Sequence, residues 1–173
     1  MSSGIATLEE ERDESAVRRG RNYRRAGLTL LLVVVLAGLA GLLGVRSATE
    51  TSTGVGSTLR VTHAQVTRAG VAVPFHVRVD RPGGFPGPVQ VAVSAELLER
   101  FDFQNFYPNP SKETSDGRFL VYEFDPPDGD RFEVSLDART APDQNGSWGR
   151  YEVRLMEGSA VAARVRFRMV VVP

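Results

Sequence analysis

Two histidines, His63 and His76, are the residues of this chain best suited to acid–base chemistry or zinc binding. Both lie in segments where apolar and polar residues alternate, and we assign both to polar, solvent-facing positions of strands. The chain has no His-x-His, His-Glu-x-x-His or Gly-x-Ser-x-Gly motif, and it has no phosphate-binding glycine motif. We therefore expect no catalytic residues and no cofactor.

Three aspartates could bind a metal ion. Asp125, Asp128 and Asp130 share one turn and follow Glu123, and clustered carboxylates are the hard oxygen ligands that calcium prefers. The order of an EF-hand is absent, because prolines occupy the two positions after Asp125. The sequence leaves two interpretations open, a weak calcium site and a plain turn rich in Asp and Pro.

The segment 101–116 is rich in aromatic residues and prolines and shows no periodicity. Long connections of this kind are uncommon in compact domains and often functional. We expect Phe101 and Phe103 to fold back into the core. We expect Phe106 and Tyr107 to be exposed on a loop and to contact a partner protein.

The elements that would position these residues are mostly strands. From Thr58 onward apolar residues recur at every second position, and the runs are separated by turn residues such as Asn145-Gly146 and Glu157-Gly158. About seven such runs predict a mainly β domain over 58–173, an immunoglobulin-like antiparallel sandwich of two sheets. Within it, Trp148 is expected in the core or at a sheet edge.

An uncharged stretch precedes this domain. Residues 26–45 follow an arginine cluster and are long enough to cross a bilayer as a helix. Because cytoplasmic flanks carry the excess of arginine, we place 1–25 in the cytoplasm as a disordered tail. Residues 46–57 are rich in Ser, Thr and Gly and predict a flexible linker. The chain is thus expected in the plasma membrane, with its C-terminal domain outside the cytoplasm.

Small residues recur at four-residue spacing in this predicted span. Ala37 and Gly41 form one such pair, and Ala40 and Gly44 form another. Small residues allow two helices to approach closely in lipid. The sequence therefore predicts helix–helix contact through these four residues.

Composition narrows the possible partners. The 21 basic residues equal the 21 acidic ones, so no overall positive charge points to nucleic acid. The chain has no cysteine, which removes disulfides and thiolate chemistry. We expect two partners, the lipid bilayer around the helix and another membrane or envelope protein.

Three short sequence segments resemble those of a known group of proteins: Arg81-Pro82-Gly83-Gly84-Phe85, Phe124-Asp125-Pro126-Pro127 and Val134-Ser135-Leu136-Asp137-Ala138-Arg139. They resemble a group of actinobacterial single-pass membrane proteins with a small extracytoplasmic β-domain. The resemblance implies topology and type of host, and it transfers no activity. The expected function is a membrane-anchored, non-catalytic module for protein interaction. The alternative is a β-sandwich that binds cell-wall glycan or calcium.

Overall fold

The computed structural model describes residues 14–40, 44–144 and 146–172, and within them all side chains except those of residues 14–18, 103 and 104. The chain divides into two compact units between Gly44 and Val45. The first contains helix α1, Glu14–Leu39. Its segment Arg19–Leu39, 21 residues, is long and apolar enough to cross a membrane, and none of it is buried within the protein.

Helix α1 differs from the predicted span at both ends. It begins at Glu14, so the part of the predicted disordered tail that the structure describes, residues 14–25, is helical. It ends at Leu39, and the N–H of Ala40 closes its last turn by donating to the Leu36 carbonyl. Arg and Leu are both good helix formers, so the helix extends to either side of Ala26, where the uncharged run begins. Composition alone therefore does not locate the ends of the helix.

The predicted small-residue pairs are only partly retained. Ala37 lies in α1 and Ala40 in its final turn, whereas Gly44 is a bend outside the helix. Gly41 lies outside the described residues. The prediction that Ala40 and Gly44 share one helix face is therefore wrong, because the helix ends before Gly44.

The second unit, the β domain, is built almost entirely of strands, as expected. One short helix, α2 (Ala95–Leu98), follows the fourth strand. The ten strands are β1 Arg46–Gly54, β2 Ser57–Arg68, β3 Ala72–Asp80, β4 Val89–Ser94, β5 Phe101–Tyr107, β6 Lys112–Ser115, β7 Phe119–Phe124, β8 Arg131–Thr140, β9 Ser147–Glu157 and β10 Ala160–Val172.

The strands form one continuous hydrogen-bonded order, β5-β8-β3-β2-β10-β9-β4-β7-β6, with β1 added on β2. Strand β2 connects the two halves of this order. Its residues 58–62 pair antiparallel with β3, and its residues 66–68 pair parallel with β10. We expected two separate sheets of about seven strands, and the structure has a single curled sheet of ten.

Ring contacts demonstrate the curl. Strands β7 and β8 lie far apart in the sheet order, yet the rings of Phe124 on β7 and Phe132 on β8 are 5.1 Å apart. Phe106 on β5 similarly approaches Phe124 on β7 at 6.3 Å. The inward side chains of both halves thus form one core, and their burial is the main source of stability.

Strand β1 replaces most of the predicted linker. It pairs with β2 along its whole length, and the two-residue turn between them, Val55-Gly56, has positive φ at both positions, as hairpins of this length require. Gly54 is needed for a close approach, since a Cβ there would lie 2.0 Å from the Ala162 carbonyl oxygen. The strand buries no apolar face, so it shows none of the apolar alternation that reveals a strand in a sequence.

Val77 tests the core. Its side chain is 1% exposed, and Val77→Asp would bury a carboxylate among apolar side chains. We expect a loss of several kcal/mol in the free energy of unfolding, measured by thermal or chemical unfolding of the detergent-solubilised chain. The control is Val55→Asp at the exposed turn, where the positive φ suits Asp better than Val. Equal unfolding midpoints for the two variants would contradict this core.

Candidate binding face on strands β9 and β10

The two histidines lie on opposite faces of the sheet. His76 is exposed, as expected, but the prediction for His63 is wrong, because its ring is 2% exposed and stacks on Phe167 at 4.1 Å. Position 63 is in phase with the buried Leu59 and Val61, so the ring continues the inward series of β2. The histidines therefore do not form one site.

His63 is held as a neutral ring. Its Nδ1 donates to the Ala64 carbonyl at 3.0 Å, and its buried Nε2 has no hydrogen-bond partner among the described residues. Burial lowers the pKa of His63, against the opposing effects of the Ala64 carbonyl and Glu50. A proton on Nε2 would place a charge in the core, which explains the direction of the shift.

The candidate calcium ligands do not form a site. Asp125, Asp128 and Asp130 are all exposed, and no group of three or more acidic or histidine side chains in the described part of the chain could hold a metal ion. The described residues therefore give no support to the calcium interpretation.

The aromatic segment is a strand rather than a loop in its first part. Residues 101–107 form β5 and pair with β8. Phe101 is buried, as predicted; the side chain of Phe103 lies outside the described residues. Tyr107 is 81% exposed, as predicted, but Phe106 is half-buried, with its ring 4.4 Å from that of Tyr122. The prediction of an exposed aromatic pair is thus wrong for Phe106, which packs against the core.

The described structure instead presents a face that sequence reasoning missed. On β9 and β10 the inward residues are apolar, and five of the outward residues between them are arginines. In the register of the two strands Arg164 lies opposite Arg154, and Arg168 lies opposite Arg150. We call this surface the basic face; it comprises Arg150, Glu152, Arg154, Arg164, Arg166 and Arg168.

Glu152 is the carboxylate at the centre of the basic face. It accepts hydrogen bonds from the Nε atoms of Arg154 at 2.5 Å and Arg166 at 2.6 Å, and its own N–H donates to Ser94 Oγ. Burial acts to raise the pKa of Glu152, but the hydrogen bonds from Arg166 and Arg154 outweigh it and the pKa is lowered. The carboxylate therefore stays ionised and partly neutralises the surrounding arginines.

A groove borders the basic face. It has a volume of about 600 Å³ and is lined in part by Glu96 and Glu99 of the α2 segment and by Arg118 from the turn before β7. Beside it the Arg154 guanidinium lies over the Phe119 ring, 3.8 Å from its centroid. This cation–π contact fixes Arg154 and covers an aromatic side chain on the outer surface.

The outer surface of β2, β3 and β8 has a different charge arrangement. There Arg78 pairs with Glu133 at 3.2 Å. Asp80 accepts a hydrogen bond from Arg131 at 2.9 Å and forms an ion pair with Arg60 at 3.6 Å. Arg60 lies directly opposite Arg78 on that side, but each of them has a carboxylate partner. On the basic face arginine lies opposite arginine twice, and among the described residues Arg150, Arg164 and Arg168 form no ion pair, so the repulsion between like charges is less fully compensated.

The sequence contained a signal for the basic face. Arg164, Arg166 and Arg168 recur at every second position, in the polar half of an alternation whose apolar half we used to predict the strand. Trp148 was expected in the core or at a sheet edge; its side chain is 67% exposed, and it lies at the start of β9, which is an interior strand of the sheet order. Which outward residues become neighbours depends on the β9–β10 register, and the sequence alone does not give it.

A pH titration tests the state of His63. Since its pKa is lowered from 6.5, the unfolded chain takes up a proton that the native ring resists, so the free energy of unfolding should fall as the pH drops below about 6.5. His63→Phe keeps a ring against Phe167 and should remove this part of the pH dependence, which is at most about 1.4 kcal/mol per pH unit. Identical pH dependence in both proteins, measured by chemical unfolding, would refute a neutral buried His63.

Glu152→Gln tests the electrostatic centre. The amide keeps the shape of the side chain but removes the charge that two arginines share, so we expect a loss of about 1 to 3 kcal/mol in the free energy of unfolding. Added salt should shrink the loss by screening the arginines. Glu133→Gln, at an exposed ion pair, is the control and should cost about 0.5 kcal/mol or less. Equal losses would mean that the basic face carries no special charge imbalance.

Comparisons with known proteins do not identify a family. No protein-family profile, no curated protein and no solved structure matches the chain. The resemblance to actinobacterial membrane proteins therefore stays a prediction. The function of the chain has to be argued from its helix and from the basic face.

Proposed function

We propose that the chain is a single-pass membrane protein whose β domain is an extracytoplasmic binding module without catalytic activity. In this proposal the basic face recognises an acidic region of another membrane or envelope protein. The observation that carries the proposal is that arginine lies opposite arginine twice on β9 and β10, while Glu152 is the one carboxylate among the six residues of the basic face. A surface that sacrifices stability in this way is typical of a functional site.

The anchor follows from the charge and length of α1. Its apolar segment is long enough to span a bilayer, and Arg19, Arg21, Arg24 and Arg25 lie at its N-terminal end. Arginines favour the cytoplasmic side of a membrane, which would place the N-terminus there and the β domain on the other side. A signal sequence passes the same length test; the anchor is favoured because the uncharged run of the sequence, residues 26–45, is longer than the roughly 7 to 15 apolar residues of a secretory signal.

An immunoglobulin-like arrangement fits the strand pairing. Strand β2 leaves β3 and continues beside β10, which divides the curled sheet into a β5-β8-β3-β2 half and a β10-β9-β4-β7-β6 half. The two halves face each other across one core, as do the sheets of a sandwich. We infer that the domain is an immunoglobulin-like module in which strand β2 belongs to both halves.

Binding is the function that this surface supports best. Arginine guanidinium groups form bidentate hydrogen bonds with carboxylates, and an unbalanced basic surface steers acidic partners by long-range attraction. Catalysis has less support, because the two histidines lie on opposite faces and the described carboxylates do not converge into a cluster with them. A protein partner with an acidic surface therefore fits the basic face better than a small substrate.

Photo-crosslinking in native membranes tests the proposal. Because the chain has no cysteine, Val161→Cys on the exposed start of β10 gives one attachment point for a photo-reactive group. We expect an adduct with an acidic protein. Arg164→Glu in the same background should reduce its yield at least about tenfold, the effect of removing roughly 1.4 kcal/mol of binding free energy. Higher salt should also reduce the yield.

The matched control is Arg60→Glu, an equal charge reversal at an exposed position of β2. It should leave the adduct intact. Loss of the adduct in both variants, or in neither, would contradict recognition by the basic face. An adduct that resists protease but is removed by cell-wall hydrolases would favour the glycan alternative instead.

A further inference from the structure

The β domain begins almost directly after the helix. Residues 40–45 separate Leu39, the last residue of α1, from Arg46, the first of β1. Fully extended, this stretch of chain reaches at most about 25 Å. If α1 is a membrane anchor, as proposed above, the first strand of the domain cannot leave the vicinity of the bilayer surface.

Strand register shows which end of the domain is attached to the anchor. Arg46 pairs with Val66, Val66 pairs with Val170, and Val170 pairs with Trp148. The turn after β2 brings Val71 to the same end, where its N–H donates to the Arg68 carbonyl. We call this the anchor-side end.

Exposed apolar side chains concentrate at the anchor-side end. Among the described residues of the β domain seven large apolar side chains are exposed, and four of them lie here: Val45 (40%), Val71 (38%), Trp148 (67%) and Val170 (40%). Trp148 and Val170 are direct cross-strand neighbours and share the outward face. Two of the remaining three, Val55 and Val161, lie near turns at the opposite end.

Arginines flank this apolar group. Two residues beyond the Trp148–Val170 pair, β9 carries Arg150 and β10 carries Arg168, and both are exposed. The exposed Arg68 ends β2 beside Val172 of β10. Tryptophan with small exposed aliphatic side chains and adjacent arginines is the composition of a membrane interface, where indole rings sit among headgroups and guanidinium groups bind phosphates.

We propose that the anchor-side end docks on the surface of the bilayer, with Trp148, Val170 and Val71 at headgroup depth and Arg68 and Arg150 on anionic phospholipid headgroups. The anchor makes this contact intramolecular, so a modest surface is sufficient to keep it populated. Docking would fix the orientation of the domain and leave Arg154, Arg164 and Arg166 available to a partner. The inference rests on the membrane anchor of the proposed function and is independent of the acidic partner.

The single tryptophan of the chain is a built-in probe of this contact. The full chain is reconstituted into phosphatidylcholine vesicles with or without phosphatidylglycerol, and Trp148 emission and its quenching by brominated lipid are measured. With phosphatidylglycerol present we expect a blue shift and strong quenching. Arg68→Glu with Arg150→Glu should reverse both effects. Arg60→Glu with Lys112→Glu, an equal charge change at positions away from the anchor-side end, should reverse neither.

Every other outcome counts against docking. Trp148 emission typical of water in inserted protein would overturn docking but leave the anchor and the partner-binding proposal standing. A chain that does not insert into the vesicles would overturn the anchor and docking together. Emission that responds to the protein-to-lipid ratio but not to phosphatidylglycerol would mean that a second copy of the chain covers Trp148.

Discussion

The pairing of strand β2 with two different strands is the constraint on which the β domain depends. Residues 58–62 complete the half of the sheet that contains β3, and residues 66–68 begin the half that contains β10. This exchange curls the sheet, so that the rings of Phe124 and Phe132 meet across the core. It also explains why His63 is buried, because the ring lies between the two pairing regions and packs on Phe167.

The same packing fixes the outer surface. Inward Tyr151, Val153 and Phe167 hold β9 and β10 in one register, and that register places the intervening arginines opposite one another. The packing of the core thus keeps the two strands in a register in which neighbouring arginines repel one another. Glu152 relieves part of the repulsion by accepting hydrogen bonds from two of the arginines. What remains is a positive surface on a rigid support, which is suited to binding with little loss of conformational entropy.

Strand β1 extends the β domain towards the N-terminus. The segment predicted as a flexible linker is instead a strand of the β domain, because β1 begins at Arg46, after six intervening residues from the end of α1, and is hydrogen-bonded along β2. Its threonines contribute β propensity and cross-strand contacts such as that between Thr49 and Thr62, whose hydroxyl oxygens lie 2.8 Å apart. The proposed binding and docking surfaces therefore share one rigid body.

The sequence by itself determined the elements whose signal is local. The uncharged run after the arginines determined the apolar helix, and the alternation around Val77, Val91 and Val153 determined a mainly β domain, because burial of one strand face imposes a period of two. Only the tertiary structure decided which outward residues become neighbours, that Trp148 is exposed, and that residues 46–54 form a strand. These depend on strand register and on pairing between distant segments, which are set when the inward side chains of both strands pack together in the core, and no single local stretch of sequence specifies that packing.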